Sequence, residues 1–309
     1  MNKVCVLGSM NMDLVLKVNN LPQVGETILS KSFEKISGGK GANQAVAAKR
    51  SGADVTMISK IGLDENGRIL KGKLEDDNID VKFVFEDKKE ETGMAIIMVN
   101  ENGNNSIIVV PGSNMTIKEE EIDASIEALK KSDILISQFE TPEDITLMAF
   151  RKAKELGKLT ILNPAPAKKI DKNLLRVTDI IVPNETEAEL ITGIKVTTLE
   201  DAKRAGEAFL EYGVTFAIIT LGSKGAAVIG PDFCELVPAY KVNAIDTTAA
   251  GDSFIGGLSS KLDVKNIKKE NLLKAVDFGN RVSSLAVQRK GAQPSIPYLK
   301  EVVEIYGED

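Results

Sequence analysis

Residues 244–257 carry the clearest chemical potential in this sequence. An apolar run leads in, small residues carry the chain through a turn, and a helix is predicted to open at Gly251-Asp252. Small residues leave backbone N–H groups accessible, and a helix N-terminus adds partial positive charge, so the turn is suited to hold an anion. Asp252 lies in the first helical turn, where a carboxylate either caps the helix or takes a proton from a group that attacks the anion. These residues alone leave both roles open.

The absence of histidine restricts the chemistry that the chain can perform. It excludes Ser-His-Asp and Cys-His catalysis, and any zinc or iron site with imidazole ligands. A general base must therefore be a carboxylate, a lysine, a tyrosine or a cysteine. Any bound metal is expected to be a hard cation on oxygen ligands.

A second glycine-rich stretch, residues 37–44, leads into an alanine-rich helix. It is not a dinucleotide fingerprint, because the third required glycine, counted from Gly39, falls on Gln44. Nor is it a Walker A loop, since no Gly-x-x-x-x-Gly-Lys-Ser/Thr occurs in the chain. The stretch is either a flexible turn or a close-approach loop that offers backbone N–H groups, Lys40 and Asn43 to a polyhydroxylated ligand.

Polar residues follow several predicted strands at the end where α/β sheets bind ligands. Asn11 and Asp13 come after an apolar strand at residues 3–9. They can present an amide and a carboxylate to hydroxyl groups, or they can form a polar turn. Glu140 and Glu187 also come just past strands, as site residues or as solvated loop acids.

From residue 117 the sequence alternates between helices and strands, which is typical of a parallel sheet with helices on both faces. In this part of the chain the predicted helices are 117–131, 142–156, 198–212 and 271–288, with a last one near Pro297, and the predicted strands are 133–137, 158–162, 179–182 and 216–221. Earlier, a strand is predicted at 54–61 and a surface helix at 64–77. The glycine-bracketed turn at 222–225 is either a tight β-turn or a surface against which a flat nucleotide could lie.

Four further strand-like segments do not fit this alternation; they are residues 14–18, 26–36, 92–99 and 106–110. The dipeptide Asn102-Gly103 joins the last two and is a strong hairpin signal. We expect a small sheet that forms a lid, and an apolar face on it would need a cover, most simply a second subunit. The predicted fold for residues 1–309 is a single α/β domain with a doubly wound, mostly parallel sheet and lid strands within about 14–36 and 92–110.

The chain has 309 residues, of which 43% are hydrophobic and 27% are charged, and this composition is typical of a globular protein. A net charge of −6 gives no support for binding to nucleic acid. Two cysteines, Cys5 and Cys234, cannot form a disulfide framework and are expected to be buried thiols in a reducing compartment. No segment approaches about 18 consecutive apolar residues, so we expect neither a membrane span nor an export signal, and we expect a cytoplasmic location.

Taken together, seven segments resemble the ribokinase-like (PfkB) family of carbohydrate kinases over nearly the whole chain. Residues 38–44 and 246–254 resemble its two signatures. The other similar segments are 8–15, 163–167, 184–187, 220–225 and 289–295. The resemblance implies the ribokinase-like fold, a homodimer formed through the lid, and ATP-dependent phosphorylation of the 5-hydroxyl group of D-ribose.

The resemblance also implies roles for individual residues. Asp252 would be the general base, and the backbone of Ala249, Ala250 and Gly251 would form the anion hole. The sugar-binding residues would be Asn11, Met12, Asp13, Gly39, Lys40, Gly41, Ala42, Asn43, Glu140 and Asp252. The ATP-binding residues would be Asn184, Thr220, Leu221, Gly222, Ser223, Lys224, Gly225, Gly251, Asp252 and Asn280. The oxygens caging a potassium ion would come from Asp246, Thr248, Ala286, Arg289, Gly291 and Ser295, and Glu187 would hold magnesium through water.

Two positions depart from the family pattern, and other acceptors stay open. Family members often have glycine where this chain has Ala249, and some have histidine near the adenine where it has Asn280. The alternatives to ribose are another sugar or a nucleoside, such as fructose, 2-keto-3-deoxygluconate or adenosine; segments 38–44 and 163–167 favour ribose. A non-catalytic sugar-binding protein on the same fold is a further alternative, although Asp252 and the small residues before it are present.

Overall fold

The strands of this chain form two sheets of unequal size; the structure, a computed structural model, describes residues 1–308. The nine-stranded sheet contains β1 (Lys3–Leu7), β4 (Asp54–Gly62), β5 (Asp80–Asp87), β8 (Ile134–Ser137), β9 (Leu159–Leu162), β10 (Ile180–Ile181), β11 (Phe216–Thr220), β12 (Ala226–Gly230) and β13 (Phe233–Val237). The four-stranded sheet contains β2 (Asn11–Lys17), β3 (Ser32–Gly38), β6 (Gly93–Val99) and β7 (Asn105–Val110).

The large sheet is parallel except at one edge. Its spatial order is β13-β12-β11-β10-β9-β8-β1-β4-β5, and only β12 and β13 are antiparallel to their neighbours. In β1, Val4 and Val6 belong to the apolar core on one face, and Cys5 and Leu7 to the core on the other. Alternate residues of a strand point to opposite faces, so this continuous apolar run requires cover on both sides.

Helices provide that cover. They are α1 (Lys40–Arg50), α2 (Glu65–Asp76), α3 (Glu119–Ala124), α4 (Ile126–Lys131), α5 (Glu143–Glu155), α6 (Lys172–Leu175), α7 (Glu185–Thr192), α8 (Leu199–Glu211), α9 (Ala250–Lys261), α10 (Lys269–Ala286) and α11 (Leu299–Tyr306). Helices α1, α9 and α10 supply residues to one core, and α5, α7 and α8 supply the other. This arrangement confirms the predicted doubly wound, mostly parallel sheet.

Helices α1 and α9 lie side by side because glycine allows a close approach. A Cβ atom at Gly256 would lie 2.3 Å from the Cβ atom of Ala47. One turn earlier on both helices, Asn43 contacts Asp252, so the two helices run in the same direction. Their N-termini, each with partial positive charge, therefore meet at the same edge of the large sheet.

Several predicted boundaries are wrong. Segment 117–131 is two helices, because the chain bends at Ser125, whose hydroxyl donates to Glu121 O. The lid strand predicted at 14–18 begins at Asn11, and the one predicted at 26–36 begins at Ser32, where pairing with Lys17 starts. Asn11 and Asp13 therefore lie in a strand and not in a turn. The predicted strand 179–182 has only two residues, the helix predicted at 271–288 spans 269–286, and β5 and β13 lie outside the predicted strands.

The small sheet has the predicted hairpin and an exposed apolar edge. Strands β6 and β7 pair antiparallel around Asn102-Gly103. On β7, Ile107, Ile108 and Val109 are each more than half exposed. Within residues 1–308, no helix has the length and apolarity needed to cross a membrane.

The two cysteines differ in burial. Both are free thiols, but only Cys5 is buried, whereas Cys234 is half-buried in β13. The prediction that both are buried is therefore wrong for Cys234, because β13 is the edge strand of the large sheet.

Candidate active site

Asp252 lies in the first turn of α9 and does not cap it. The N-cap residue is Ala249, which makes no side-chain capping hydrogen bond. The Asp252 carboxylate is 7% exposed and accepts hydrogen bonds from two amides of α1. Asn43 Nδ2 donates to Oδ2 at 3.0 Å, and Gln44 Nε2 donates to Oδ1 at 2.9 Å. The carboxylate is thus held at a fixed position beside the helix N-terminus.

The backbone before Asp252 is open to a ligand. Ala249 has φ of +58°, in the left-handed region, and Ser253 N donates the first i→i−4 hydrogen bond of α9, to Ala249 O at 2.8 Å. The amides of Gly251 and Asp252 precede that bond. A Cβ atom at Gly251 would meet no atom within 4 Å. Amides at an exposed helix start can bind an anion. Of the three residues predicted for the anion hole, Gly251 has such an amide, whereas Ala250 N donates to Thr247 O at 3.2 Å.

Four carboxylates surround Lys40, and these charged groups shift one another's pKa values. Burial raises the pKa of Asp252, while the Lys40 ammonium group and the two amide donors oppose that shift. Burial, Glu140 and Asp252 raise the pKa of Asp13 to about 7. The pKa of Lys40 is raised despite its burial, because Asp252, Glu140, Glu187 and Asp13 stabilise its charge. A buried carboxylate whose pKa is raised is suited to take a proton near neutral pH.

The predicted sugar-binding residues meet where β1, β2 and α1 come together. Glu140 Oε2 accepts hydrogen bonds from Ser9 Oγ at 2.5 Å and from Lys40 N at 3.1 Å. Gly39, with φ of +90°, brings α1 close to β2, since a Cβ atom there would lie 2.7 Å from Asn11 N.

Glycine is also needed at Gly41, where a Cβ atom would lie 2.6 Å from the backbone of Gly8. The side chains of Met12 and Ala42 belong to the apolar core, so only their backbone could meet a sugar.

For two side-chain amides in this region, the hydrogen bonds show which polar atom remains available to a ligand. Asn11 Oδ1 accepts from Asn114 Nδ2 at 2.7 Å, which leaves the Asn11 NH₂ group for another partner. Asn43 Oδ1 is buried and has no hydrogen-bond partner among residues 1–308. Asn11 can thus donate to a hydroxyl group and Asn43 can accept from one, as a polyhydroxylated ligand requires.

A cavity of about 200 Å³ lies between the N-terminus of α9 and the carboxyl ends of β10 and β11; its lining includes Lys40, Asn163, Asn184, Thr220, Gly251 and Asp252. Asn184 is the N-cap of α7 and exchanges hydrogen bonds with Glu187 in a capping box, at 2.8 and 2.9 Å. Thr220 and Asn184 are joined by a short bridge between their backbones. The structure therefore brings these two predicted ATP-binding residues together with Asp252.

The other predicted nucleotide residues adjoin β13. Leu221 and Gly225 are buried, with the exposed residues Gly222, Ser223 and Lys224 between them. A Cβ atom at Gly225 would lie 2.0 Å from Val237 O, the same carbonyl that Asn280 Nδ2 contacts at 3.3 Å. Asn280 and the turn thus share one neighbour.

Several predicted potassium ligands are joined by hydrogen bonds. Asp246 Oδ1 accepts from Thr248 Oγ1 at 2.6 Å, and Oδ2 accepts from Gly291 N at 2.9 Å. Burial alone would raise the pKa of Asp246, but these hydrogen bonds lower it. Arg289 N donates to Ala286 O at 3.1 Å in the same loop.

Ser295, another predicted potassium ligand, is fully buried, and its hydroxyl group donates to Ala292 O at 2.7 Å. Within residues 1–308 no group of three His, Cys, Asp or Glu side chains that could hold a metal ion occurs, so a cation here would also need hydroxyl or backbone oxygens. An all-oxygen donor set fits a hard monovalent cation.

Three polar residues of the site were not predicted. Gln44 bonds Asp252, Asn163 Oδ1 accepts from Gln44 Nε2 at 3.1 Å, and Asn114 orients Asn11. Gln44 and Asn163 lie in segments 38–44 and 163–167, which resemble the family, and this position could have identified them as site residues. Asn114 follows the lid hairpin and lies in no such segment.

A buried carboxylate beside open helix amides, a lysine and a hydroxyl-binding surface defines a phosphotransferase that acts on an alcohol. The chain belongs to the pfkB family of carbohydrate kinases, which matches residues 1–299.

The chain is similar to named kinases over its full length. A ribokinase of Staphylococcus aureus is 45% identical over 305 residues, which cover 98% of this chain and 99% of the relative. A deoxyribokinase of Salmonella typhi is 35% identical and covers 97% of each chain. The solved structure of Arabidopsis thaliana ribokinase complexed with ribose and ATP matches with a TM-score of 0.91 at 30% identity, covering 100% of this chain and 99% of that one.

Proposed function

We propose that the chain phosphorylates D-ribose at O5 with ATP and releases ribose 5-phosphate and ADP. The observation that carries this proposal is the Asp252 carboxylate, held by Asn43 and Gln44 beside the open amides of α9. Ribokinase relatives in the same family, similar over the full chain, support ribose as the acceptor.

The reaction needs positioning and charge stabilisation more than covalent help. Asp252 takes the proton of the 5-hydroxyl group as O5 forms its bond to the γ-phosphorus. The amides of Gly251 and Asp252, which precede the first i→i−4 hydrogen bond of α9, bind the oxygens of the transferring group, and Lys40 in the lining of the same cavity adds positive charge. These groups are fixed before the substrates arrive, so little reorganisation is needed in the transition state.

The sugar is held by donors and acceptors of complementary kind. The NH₂ group of Asn11 donates to one hydroxyl group, and Asn43 Oδ1 accepts from another. Asp13 and Glu140, beside Lys40, accept hydrogen bonds from further hydroxyl groups of the sugar. Backbone groups alone would contact the sugar at Met12, Gly39, Gly41 and Ala42.

Two cations complete the proposal. Glu187 lines the same cavity and would hold Mg²⁺ through water, and the ion would neutralise phosphate charge. K⁺ would be held by oxygens of Asp246, Thr248, Ala286, Arg289, Gly291 and Ser295, and its charge would strengthen the positive potential near Ala249.

We further infer that the chain forms one domain and acts as a homodimer. The small sheet serves as a lid, and its exposed residues Ile107, Ile108 and Val109 are suited to be covered by a second copy. A cytoplasmic location agrees with two cysteines that remain thiols.

A panel of acceptors with ATP and coupled detection of ADP tests the proposed activity. D-ribose, 2-deoxyribose, fructose, 2-keto-3-deoxygluconate and adenosine are compared at equal enzyme concentration. We expect the highest kcat/KM for ribose. A higher kcat/KM for another acceptor would overturn the choice of ribose, and no ADP release with any acceptor would favour a non-catalytic binding protein.

A further inference from the structure

A chain of buried amides lies behind Asp252. Gln44 Nε2 donates to Asp252 Oδ1 at 2.9 Å and to Asn163 Oδ1 at 3.1 Å, so both of its hydrogens are used. Gln44 Oε1 accepts from Gln138 Nε2 at 2.7 Å. Gln44 and Gln138 are both 0% exposed, and neither is among the residues predicted to bind a ligand.

The direction of these amides follows from the charge of Asp252. An ionised carboxylate only accepts hydrogen bonds, so Gln44 must turn its NH₂ group towards it. Gln44 Oε1 then faces Gln138, which must also present its NH₂ group. Gln138 Oε1 consequently ends the chain as a buried acceptor that has no partner within residues 1–308. An unsatisfied buried acceptor is unfavourable, and reversing both amides would instead place the Gln44 oxygen against the carboxylate.

The two oxygens of Asp252 lie in different surroundings. Oδ1 faces Gln44, which has no contact with solvent, whereas Oδ2 faces Asn43, which is 5% exposed and has a free Oδ1. Oδ2 is therefore the oxygen on the ligand side. We propose that Gln44 is a positioning residue that holds Asp252 Oδ1 so that Oδ2 receives the proton of the acceptor hydroxyl group.

This inference rests on the proposed role of Asp252 as general base. In the step, the O5–H bond breaks and its proton goes to Oδ2. O5 forms the bond to the γ-phosphorus, and the bond from phosphorus to the departing ADP oxygen breaks. Oδ1 keeps its hydrogen bond from Gln44 throughout, so the carboxylate does not rotate as it is protonated.

The hydrogen bond from Gln44 also favours the ionised form of Asp252. The charged groups around Asp252 are Lys40 on α1, Asp13 on β2, Glu140 after β8 and Glu187 on α7. Only Lys40 among them stabilises the negative charge. Removing the Gln44 donor should therefore move the deprotonation of Asp252 to higher pH.

The test is the pH profile of kcat/KM for ribose at one saturating ATP concentration, so that titration of the nucleotide is common to all variants. Gln44→Met keeps the length of the side chain and removes the donor, and we expect the acid limb to move upward by about one pH unit. Gln44→Glu adds a like charge and should move it further. On the acid limb kcat should fall by up to about tenfold and recover at high pH, with KM for ribose within about twofold.

A matched control is Thr178→Val, which removes a buried hydrogen bond from Thr178 Oγ1 to Leu174 O (2.8 Å) on the other face of the sheet. It should lower the melting temperature and leave the acid limb unchanged. If Gln44→Met does not fold, Gln138→Met loosens Gln44 without touching Asp252, and a smaller upward movement is expected.

An acid limb that stays in place in the folded variants, with kcat lowered equally at every pH or not at all, would overturn the role of Gln44. The proposed function is judged separately, by wild-type turnover of ribose. If the wild type phosphorylates ribose and the Gln44 variants match it, only the positioning role is wrong.

Discussion

Replacing Gly256 with alanine tests whether the packing of α1 against α9 sets the geometry of the site. The new Cβ atom would lie 2.3 Å from Ala47 Cβ and 2.5 Å from Ala48 N, whereas ordinary contact begins near 3.4 Å. The helices must therefore move apart by about 1 Å. Overpacking of this kind costs about 1–3 kcal/mol. A misplacement of about 1 Å between the groups on the two helices can lower turnover by roughly 100-fold.

The matched control is Gly72→Ala in α2, where a Cβ atom would meet nothing within 4 Å. That variant should gain about 0.5–1 kcal/mol from helix propensity and keep full activity. The assays are denaturant unfolding and ADP release with ribose. If Gly256→Ala behaved like Gly72→Ala in both, the close approach of the two helices could not be what positions Asn43 and Gln44 against Asp252.

Three further predictions address the charges of the site. Asp252→Asn should bind ribose within a few-fold of the wild type by calorimetry while kcat falls about 10²–10⁴-fold; unchanged turnover would remove Asp252 from the role of base. Asp13 has a pKa of about 7 in the folded chain, above its usual value, so the folded state binds more protons between about pH 4 and 7 and stability falls as pH rises through that window. Asp13→Asn should therefore raise the free energy of unfolding at pH 8 by about 1–4 kcal/mol and change little at pH 4, and an equal effect at both pH values would contradict this. Replacing potassium with sodium or lithium at fixed ionic strength should lower activity, whereas equal rates in the three salts would count against a cation site at Asp246.

The oligomeric state is open to a direct measurement. Sedimentation should give twice the mass of one chain, because β7 exposes Ile107, Ile108 and Val109. Ile108→Lys should shift the equilibrium towards single chains, and a wild type that sediments as one chain would exclude a dimer formed through the lid.

Local patterns in the sequence were enough for most elements and for several of the residues that meet around Asp252. The apolar run of β1, the helix–strand alternation from residue 117 and the Asn102-Gly103 hairpin each depend on nearby residues, so they could be predicted. Asp252 could be identified because small residues and a helix start surround it in the sequence. The start of β3 could not, since it depends on pairing with Lys17 of β2. The break at Ser125 is local, since its hydroxyl donates to Glu121 O, but the spacing of apolar residues does not record it.

The sequence by itself determined which chemical groups this chain possesses: carboxylates without histidine, a glycine-rich approach to a helix, and a turn of small residues before a second helix. Only the tertiary structure decided which of them meet. Gln44 and Asp252 are 208 residues apart, and their contact depends on Gly256 letting α1 lie against α9. Such contacts follow from the packing of whole elements, which no local pattern of residue types records.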